Sequence, residues 1–164
     1  MIVKLNKYEA KIITRKNHEE VWAVYESNPD YFMLHKGRVA MPDDVLDTFN
    51  RLVDGYPPSK QYFVGFWQDS MPCAVLELLP DFPNAGELWL SEIIVHGDMQ
   101  KIGLGKKIVQ AVIEASIGYN SINLGTDPHL VTFWEGLGFV QTGESGGFVG
   151  FSRAYLSSKS TKVD

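Results

Sequence analysis

The chain has 164 residues, 45% hydrophobic and 21% charged, the values of an ordinary globular protein with a core of its own, and one domain is expected. Its formal net charge of -5 excludes broad binding to nucleic acid or to an anionic membrane, both of which need a basic face, so any anionic ligand must be held by local chemistry. The single cysteine, Cys73, lies in the apolar run Cys73-Ala74-Val75-Leu76, which excludes an intrachain disulfide and fits a core thiol in a reducing, cytoplasmic compartment.

The opening Met1-Ile2-Val3-Lys4-Leu5 lacks the long apolar run of a signal peptide, and no stretch approaches about eighteen continuous apolar residues, so a soluble, unexported protein is expected. Residues 1–156 are expected to form one domain and 157–164 a polar tail that frays. A short strand is expected around Lys11 to Thr14, then a helix starting near Asn17, whose side chain is placed to cap it with Glu20 three residues on. Asn28-Pro29-Asp30-Tyr31-Phe32 reads as a turn carrying two aromatics, and a second helix runs from about Asp43 to Val53.

Tyr62 to Trp67 and Cys73 to Leu79 are rich in β-branched and aromatic residues and flank a turn, which is a hairpin signature; Glu87 to Val95 adds a third antiparallel strand. From Gly103, the residues Leu104, Ile108, Ala111, Val112 and Ala115 recur at helical spacing, and Gly118 stands where a left-handed cap is expected. A strand at Ser121 to Leu124, a short helix from about Pro128 to Glu135, and strands at Phe139 to Gln141 and Phe148 to Tyr155 complete the chain. The step from Val95 through a helix to Leu124 implies one parallel pair in an otherwise antiparallel sheet, a mixed α/β layer with helices at its flanks.

A strand, a loop and a helix opening at Gly103-Leu104-Gly105 bring free backbone N–H groups and the positive end of a helix dipole to one place. That combination suits a phosphate, and Lys101, Lys106 and Lys107 add the positive charge that the chain as a whole lacks. A dinucleotide site competes, since Asp127 follows the next strand. It is disfavoured because Ile108 replaces the third glycine and seven residues separate Val95 from Gly103. No Gly-Lys-Ser or Gly-Lys-Thr of a Walker loop is present.

Ile93-Ile94-Val95, then Gln100-Lys101-Ile102-Gly103-Leu104-Gly105, then Phe133-Trp134-Glu135-Gly136-Leu137-Gly138-Phe139 resemble the GNAT superfamily of acetyl-CoA-dependent N-acetyltransferases, in order as well as in type. The likeness covers roughly Glu87 to Gly143, and the earlier half is similar, more loosely, to bacterial members of unassigned substrate. The resemblance implies that the strand Glu87 to Val95 splays from its parallel neighbour. Backbone groups of Ile93 and Val95 would then face the pantetheine arm, and the Val95 N–H would serve as oxyanion donor. It implies that residues 100–106 hold the pyrophosphate, with Asp127 and Trp134 also beside the cofactor. The direct attack of an amine on the thioester would follow.

An amine of pKa about 10.4 costs roughly 4 to 5 kcal/mol to deprotonate at pH 7, so a base is useful. Glu92 is the best candidate on the resemblance, directly or through water, and as an acceptor contact. Glu87 and Glu77 lie farther away, and His96 and His129 are the runners-up. Two departures from the family pattern bear on mechanism. Trp134 stands where many members carry a tyrosine that protonates the leaving thiolate, and Asp127 replaces a common asparagine; a thiol of pKa about 8.5 can still leave as thiolate at a cost of about 2 kcal/mol at pH 7. Tyr31, Phe32, Trp67 and Trp89 are candidates to line an acceptor pocket for a small-molecule or peptide amine. No metal is expected, a homodimer is left open, and a CoA-binding module without catalysis is the alternative function.

Overall fold

The computed structural model describes residues 1–155; the expected tail at 157–164 lies outside them. Seven strands form one sheet: β1 (Glu9–Ile12), β2 (Tyr62–Gln68), β3 (Met71–Pro80), β4 (Glu87–Val95), β5 (Ser121–Thr126), β6 (Val140–Ser145) and β7 (Phe148–Ala154). Their spatial order is β1-β2-β3-β4-β5-β7-β6, and every neighbouring pair is antiparallel except β4 and β5. Five α-helices accompany it: α1 (Trp22–Glu26), α2 (Pro29–Lys36), α3 (Asp44–Asn50), α4 (Leu104–Ala115) and α5 (Val131–Glu135). No described helix is long and apolar enough to cross a membrane.

The sheet separates two apolar clusters. Leu104, Ile108, Val109 and Val112 of α4 pack with Leu76, Leu78, Leu88 and Ile122 on one face. Val24 and Tyr25 of α1, Phe32 of α2 and Val45 of α3 pack with Phe63, Trp67, Val75 and Ile94 on the other. Helical spacing in α4 therefore meets strand alternation across the sheet, and Cys73 is buried as a core thiol.

Two irregularities of β4 position the site. Its register against β3 steps from Glu77↔Glu92 to Leu78↔Leu90, leaving Ser91 as a bulge. Before the bulge Leu88 and Leu90 face the α4 cluster; after it Ile94 belongs to the opposite cluster while Ile93 and Val95 lie against the α4 side. Without that extra residue, period-two alternation would have put Glu92 under α4. The second irregularity is that β4 pairs with β5 only over Glu87–Trp89 against Ser121–Asn123. Beyond it β4 stays with β3 as far as Val95, β5 stays with β7 as far as Thr126, and the sheet opens into a wedge.

Several local expectations are corrected. Asn28 to Phe32 is the start of α2, because Pro29 sits at the first helical position, where its fixed φ and missing N–H cost nothing, and Gly37 at φ 66 ends the helix. Asn17 does not cap a helix: its Oδ1 accepts from the Thr14 N–H and hydroxyl, and a 3-10 turn over His18–Val21 precedes α1. Helix α4 stops at Ala115 with Ser116 as its cap residue, and Gly118, at φ 108, follows in the next turn. Helix α3 ends at Asn50, short of Val53.

The helices over the second face are tied together by Asp44, whose side chain is 2% exposed. It accepts from both Nη atoms of Arg38, from Lys36 Nζ and from the Met41 N–H. Arg38 foremost, then Lys36 and Met41, hold this carboxyl well below the usual carboxylate range against the cost of burial. A depressed carboxylate contributes stability that is full above its unfolded pKa and is lost as pH falls through the folded one. Asp44→Asn is expected to lower unfolding free energy by about 3 kcal/mol at pH 7. The gap from the parent should shrink below about pH 4, as followed by denaturant melts across pH.

Candidate active site

The loop between β4 and α4 is a backbone device. Lys101 at φ 62 and Gly103 at φ 87 turn the chain left-handed, and Gly103 occupies the cap position of α4 with no side-chain cap to receive the first free N–H groups. The first turn of α4 contains no acid and carries Lys106 and Lys107, the reverse of the charge a helix N-terminus favours. Uncapped donors and added positive charge are balanced by one kind of ligand, an anion. A groove of about 790 Å³ runs from this turn to the end of β4. Gln100, Lys101, Gly103 and Leu104 line its loop end together with Gly105 and Lys106. Ile93 and Val95 line the strand end, with Asp127 and Trp134 opposite. Ile102, expected in this set, does not line the groove and is 60% exposed.

The loop is anchored by residues that sequence reading passes over. Asn28, just ahead of α2, donates Nδ2 to the Val95 carbonyl at 3.0 Å and accepts from Gln100 Nε2 at 2.6 Å. Gln100 Nε2 reaches the same Val95 carbonyl at 3.0 Å, so the glutamine fixes the loop rather than facing the ligand with its amide N–H groups. Ser27 Oγ accepts from Gly97 N–H at 2.9 Å, and a Cβ on Gly97 would lie 2.7 Å from the Ser27 carbonyl.

The direction of the Val95 N–H follows from strand alternation. His96 N–H donates to Cys73 across to β3, so its predecessor's N–H and C=O face away from β3, into the wedge. There the carbonyl is engaged by Asn28 and Gln100, and the Val95 N–H is aimed at the same opening.

Beside it, a cavity of about 370 Å³ shares Tyr31, Ile93, Asp127, Leu130 and Trp134 with the groove and extends to Glu92, Arg51 and Phe32. Glu92 is 7% exposed; its Oε1 accepts from the Tyr25 hydroxyl at 2.8 Å and its Oε2 from Arg51 Nη2 at 2.7 Å. Burial, and then Glu92 itself, push the Tyr25 phenol well above its ordinary pKa, which keeps it a donor. Glu77, the cross-strand neighbour of Glu92, accepts from Gln61 and lies 3.6 Å from the same Arg51 nitrogen; burial raises its carboxyl. One guanidinium thus serves two buried acids.

On the opposite wall, Asp127 Oδ2 meets His35 Nε2 at 3.1 Å, and Trp134, 3% exposed, donates its indole N–H to Thr126 Oγ1 at 3.0 Å. Trp134 is therefore a packed aromatic with its single donor engaged. Tyr31 lies at the junction of the two spaces, while Phe32 is mostly core. Trp67 packs on the α1 side, and Trp89 lines a separate hollow with Phe148 and Glu144. His129 borders the groove; His96 accepts from the Asp98 N–H. Among the described residues no group of three or more His, Cys, Asp or Glu side chains is arranged to hold a metal ion.

A sequence model described as an acetyltransferase (GNAT) domain matches residues 57–153, more than half of the chain. The chain belongs to the GNAT acetyltransferase family. Membership makes acyl transfer from a coenzyme A thioester its reaction class. A search of curated proteins finds no match. Among solved structures, an acetyltransferase from Thermus thermophilus superposes with a TM-score of 0.77 at 21% identity, over 94% of this chain and 100% of that one. The PaiA N-acetyltransferase of Thermoplasma acidophilum, solved with coenzyme A, gives 0.63 at 12% identity over 90% and 99%. The GNAT domain of S. lividans PAT gives 0.65 at 12% over 89% of each chain. At these identities the likeness speaks for the GNAT fold, whose mixed sheet and parted parallel pair are those described above.

Because Asn28 holds both the end of β4 and Gln100, Asn28→Ala is expected to weaken coenzyme A binding about tenfold, roughly 1.4 kcal/mol. It should cost about 1 to 2 kcal/mol of stability. Calorimetric titration and denaturant melts on the same preparation measure the two effects.

Proposed function

We propose that the chain is an N-acetyltransferase that moves an acetyl group directly from acetyl-CoA to a small-molecule or peptide amine. The observation that carries this reading is the alignment of the uncapped, lysine-flanked start of α4 with a groove that ends at the Val95 N–H in the wedge. The pyrophosphate takes the turn at residues 101–106, and the pantetheine arm runs along Ile93 and Val95. The thioester carbonyl then lies where the Val95 N–H stabilises the negative charge that develops on its oxygen. The amine arrives from the cavity that holds Glu92.

Glu92 is given a different part from the one expected of it. Its oxygens accept from the Tyr25 hydroxyl and the Arg51 guanidinium; lone pairs remain to accept a further N–H, but taking up a proton would cost the ion pair with Arg51. We assign it to binding the acceptor's ammonium group beside Ile93 and to holding Arg51 in place. Acetyl is the acyl group proposed because the family model describes an acetyltransferase. The rival reading, a coenzyme A-binding module without catalysis, draws on Trp134, whose only donor is engaged by Thr126 and which offers no acid to the leaving thiolate. A thiolate leaving group makes that acid dispensable at a cost of about 2 kcal/mol.

Calorimetric titration with acetyl-CoA should show one site. Gly103→Glu, which places a carboxylate at φ 87 against the pyrophosphate, should abolish it. Equal affinity in the variant would remove the loop from the site. Thiol release from acetyl-CoA with a panel of amino acids, dipeptides, diamines and benzylamine separates enzyme from module. Binding without release in any arm favours the module. Glu92→Gln should raise the acceptor's KM at least tenfold while leaving acetyl-CoA affinity within twofold, and an unchanged KM would end its assignment to acceptor binding.

A further inference from the structure

Deprotonation of the acceptor requires a group at the junction of groove and cavity with a free lone pair, and most of the polar groups there are engaged elsewhere. Glu92 is ion-paired with Arg51 and accepts from the buried Tyr25 phenol, the Tyr31 phenol is pushed up by burial and stays a donor, and the Trp134 indole has no lone pair to offer. His129 borders the groove but not the cavity, which leaves the paired Asp127 and His35. Asp127 lies just beyond the end of β5 and borders both the groove and the cavity; His35, in the last turn of α2, borders the cavity. A carboxylate only accepts, so the 3.1 Å contact requires the proton of the neutral imidazole on Nε2. Nδ1 is then the basic nitrogen, and no hydrogen bond among the described residues engages it.

The imidazole is also held in place. Tyr31 lies against it with centroids 4.6 Å apart, and Phe148 stacks at 5.9 Å with the rings 7° from parallel. The side chains of His35 and Asp127 are 23% and 16% exposed, so the pair is sheltered yet open to the cavity. A carboxylate that fixes the tautomer of a histidine facing a reactant space is the arrangement of a general base with its orienting partner.

We propose that His35, oriented by Asp127, is the general base that takes the proton from the attacking amine; this rests on the acyl-transfer reading above. The acceptor's ammonium gives one proton to His35 Nδ1, and the freed lone pair forms the N–C bond at the thioester carbonyl, whose π electrons move onto oxygen facing the Val95 N–H. Collapse re-forms the carbonyl and breaks the C–S bond, the electron pair leaving on sulfur. The second nitrogen-bound proton goes to the thiolate, and the imidazolium releases its proton to solvent. The products are the N-acetyl amide and free coenzyme A, with the histidine restored to neutrality. Asp127 thereby acquires a positioning role that the family's usual asparagine would not fill in the same way, since an amide lacks the charge that stabilises an imidazolium.

The same cavity is faced by Tyr31, Lys36, Asp44, Arg51, Glu92 and Asp127, so the test needs a readout specific to proton transfer. His35→Gln keeps a donor for Asp127 but has no titrating nitrogen, and His35→Ala opens space for added imidazole. With acetyl-CoA and the amine panel, His35→Gln should lose about 100-fold in kcat while KM for acetyl-CoA stays within twofold. Its deficit against the parent should narrow toward pH ~10, where the amine loses its proton without a base. Imidazole should restore at least tenfold of the rate of His35→Ala. Turnover of His35→Gln within threefold of the parent, or a large loss that neither high pH nor imidazole recovers, would overturn the assignment. If the parent releases no thiol with any amine, acyl transfer itself falls, and calorimetric binding of acetyl-CoA distinguishes that result from an absent cofactor site.

Discussion

Three residue pairs join β4 to β5, and the candidate chemistry depends on the pairing stopping there. A strand in a sheet has its N–H and C=O groups taken on both sides, so it has nothing to offer a substrate. By parting from β5 after Trp89, β4 keeps its bonds to β3 on one side and leaves the N–H groups of Ile93 and Val95 without a strand partner on the other. The freed groups lie a short loop away from the start of α4. One departure from regular pairing thus opens one end of the groove and, through the chain that leaves it, leads to the other, the ends proposed for the acyl group and the phosphates.

The bulge at Ser91 complements the parting. It turns Glu92 toward the α1–α3 side, where Tyr25 and Arg51 can reach it, while Ile93 and Val95 stay on the α4 side. The proposed cofactor groove and acceptor cavity are consequently bordered by adjacent residues of one strand facing opposite ways. The short helices α1 to α3 wall the cavity proposed for the acceptor, and their mutual attachment through Asp44, Lys36 and Arg38 bears on that cavity as well as on stability.

Much of this is legible in the sequence. Helix α4 shows in its spacing, the β2–β3–β4 meander in alternating apolar runs and turns, and the loop proposed to hold an anion in glycines and lysines between a strand and a helix. These are local signals. The parting of β4 from β5 comes only with the family resemblance, since nothing in Glu87 to Val95 taken alone forbids further pairing. Helix α2 reads as a turn because Asn-Pro-Asp suits both, and only Gly37 farther on marks the helix end. Tyr25, Asn28, His35 and Arg51 escape a sequence reading for one reason: each acts on a residue 41 to 92 positions away, through contacts that no periodicity encodes. The bulge, a single residue of slippage in an otherwise alternating strand, leaves no mark either.

The central claim is that the parted strand and the start of α4 form one donor site. Backbone amide NMR during titration with acetyl-CoA addresses it residue by residue. The largest shifts should fall on Val95 and on the amides from Lys101 to Lys106, with β1, β2 and the β6–β7 hairpin little changed. Saturable binding whose shifts gather elsewhere, leaving Val95 and Gly103 unmoved, would contradict it.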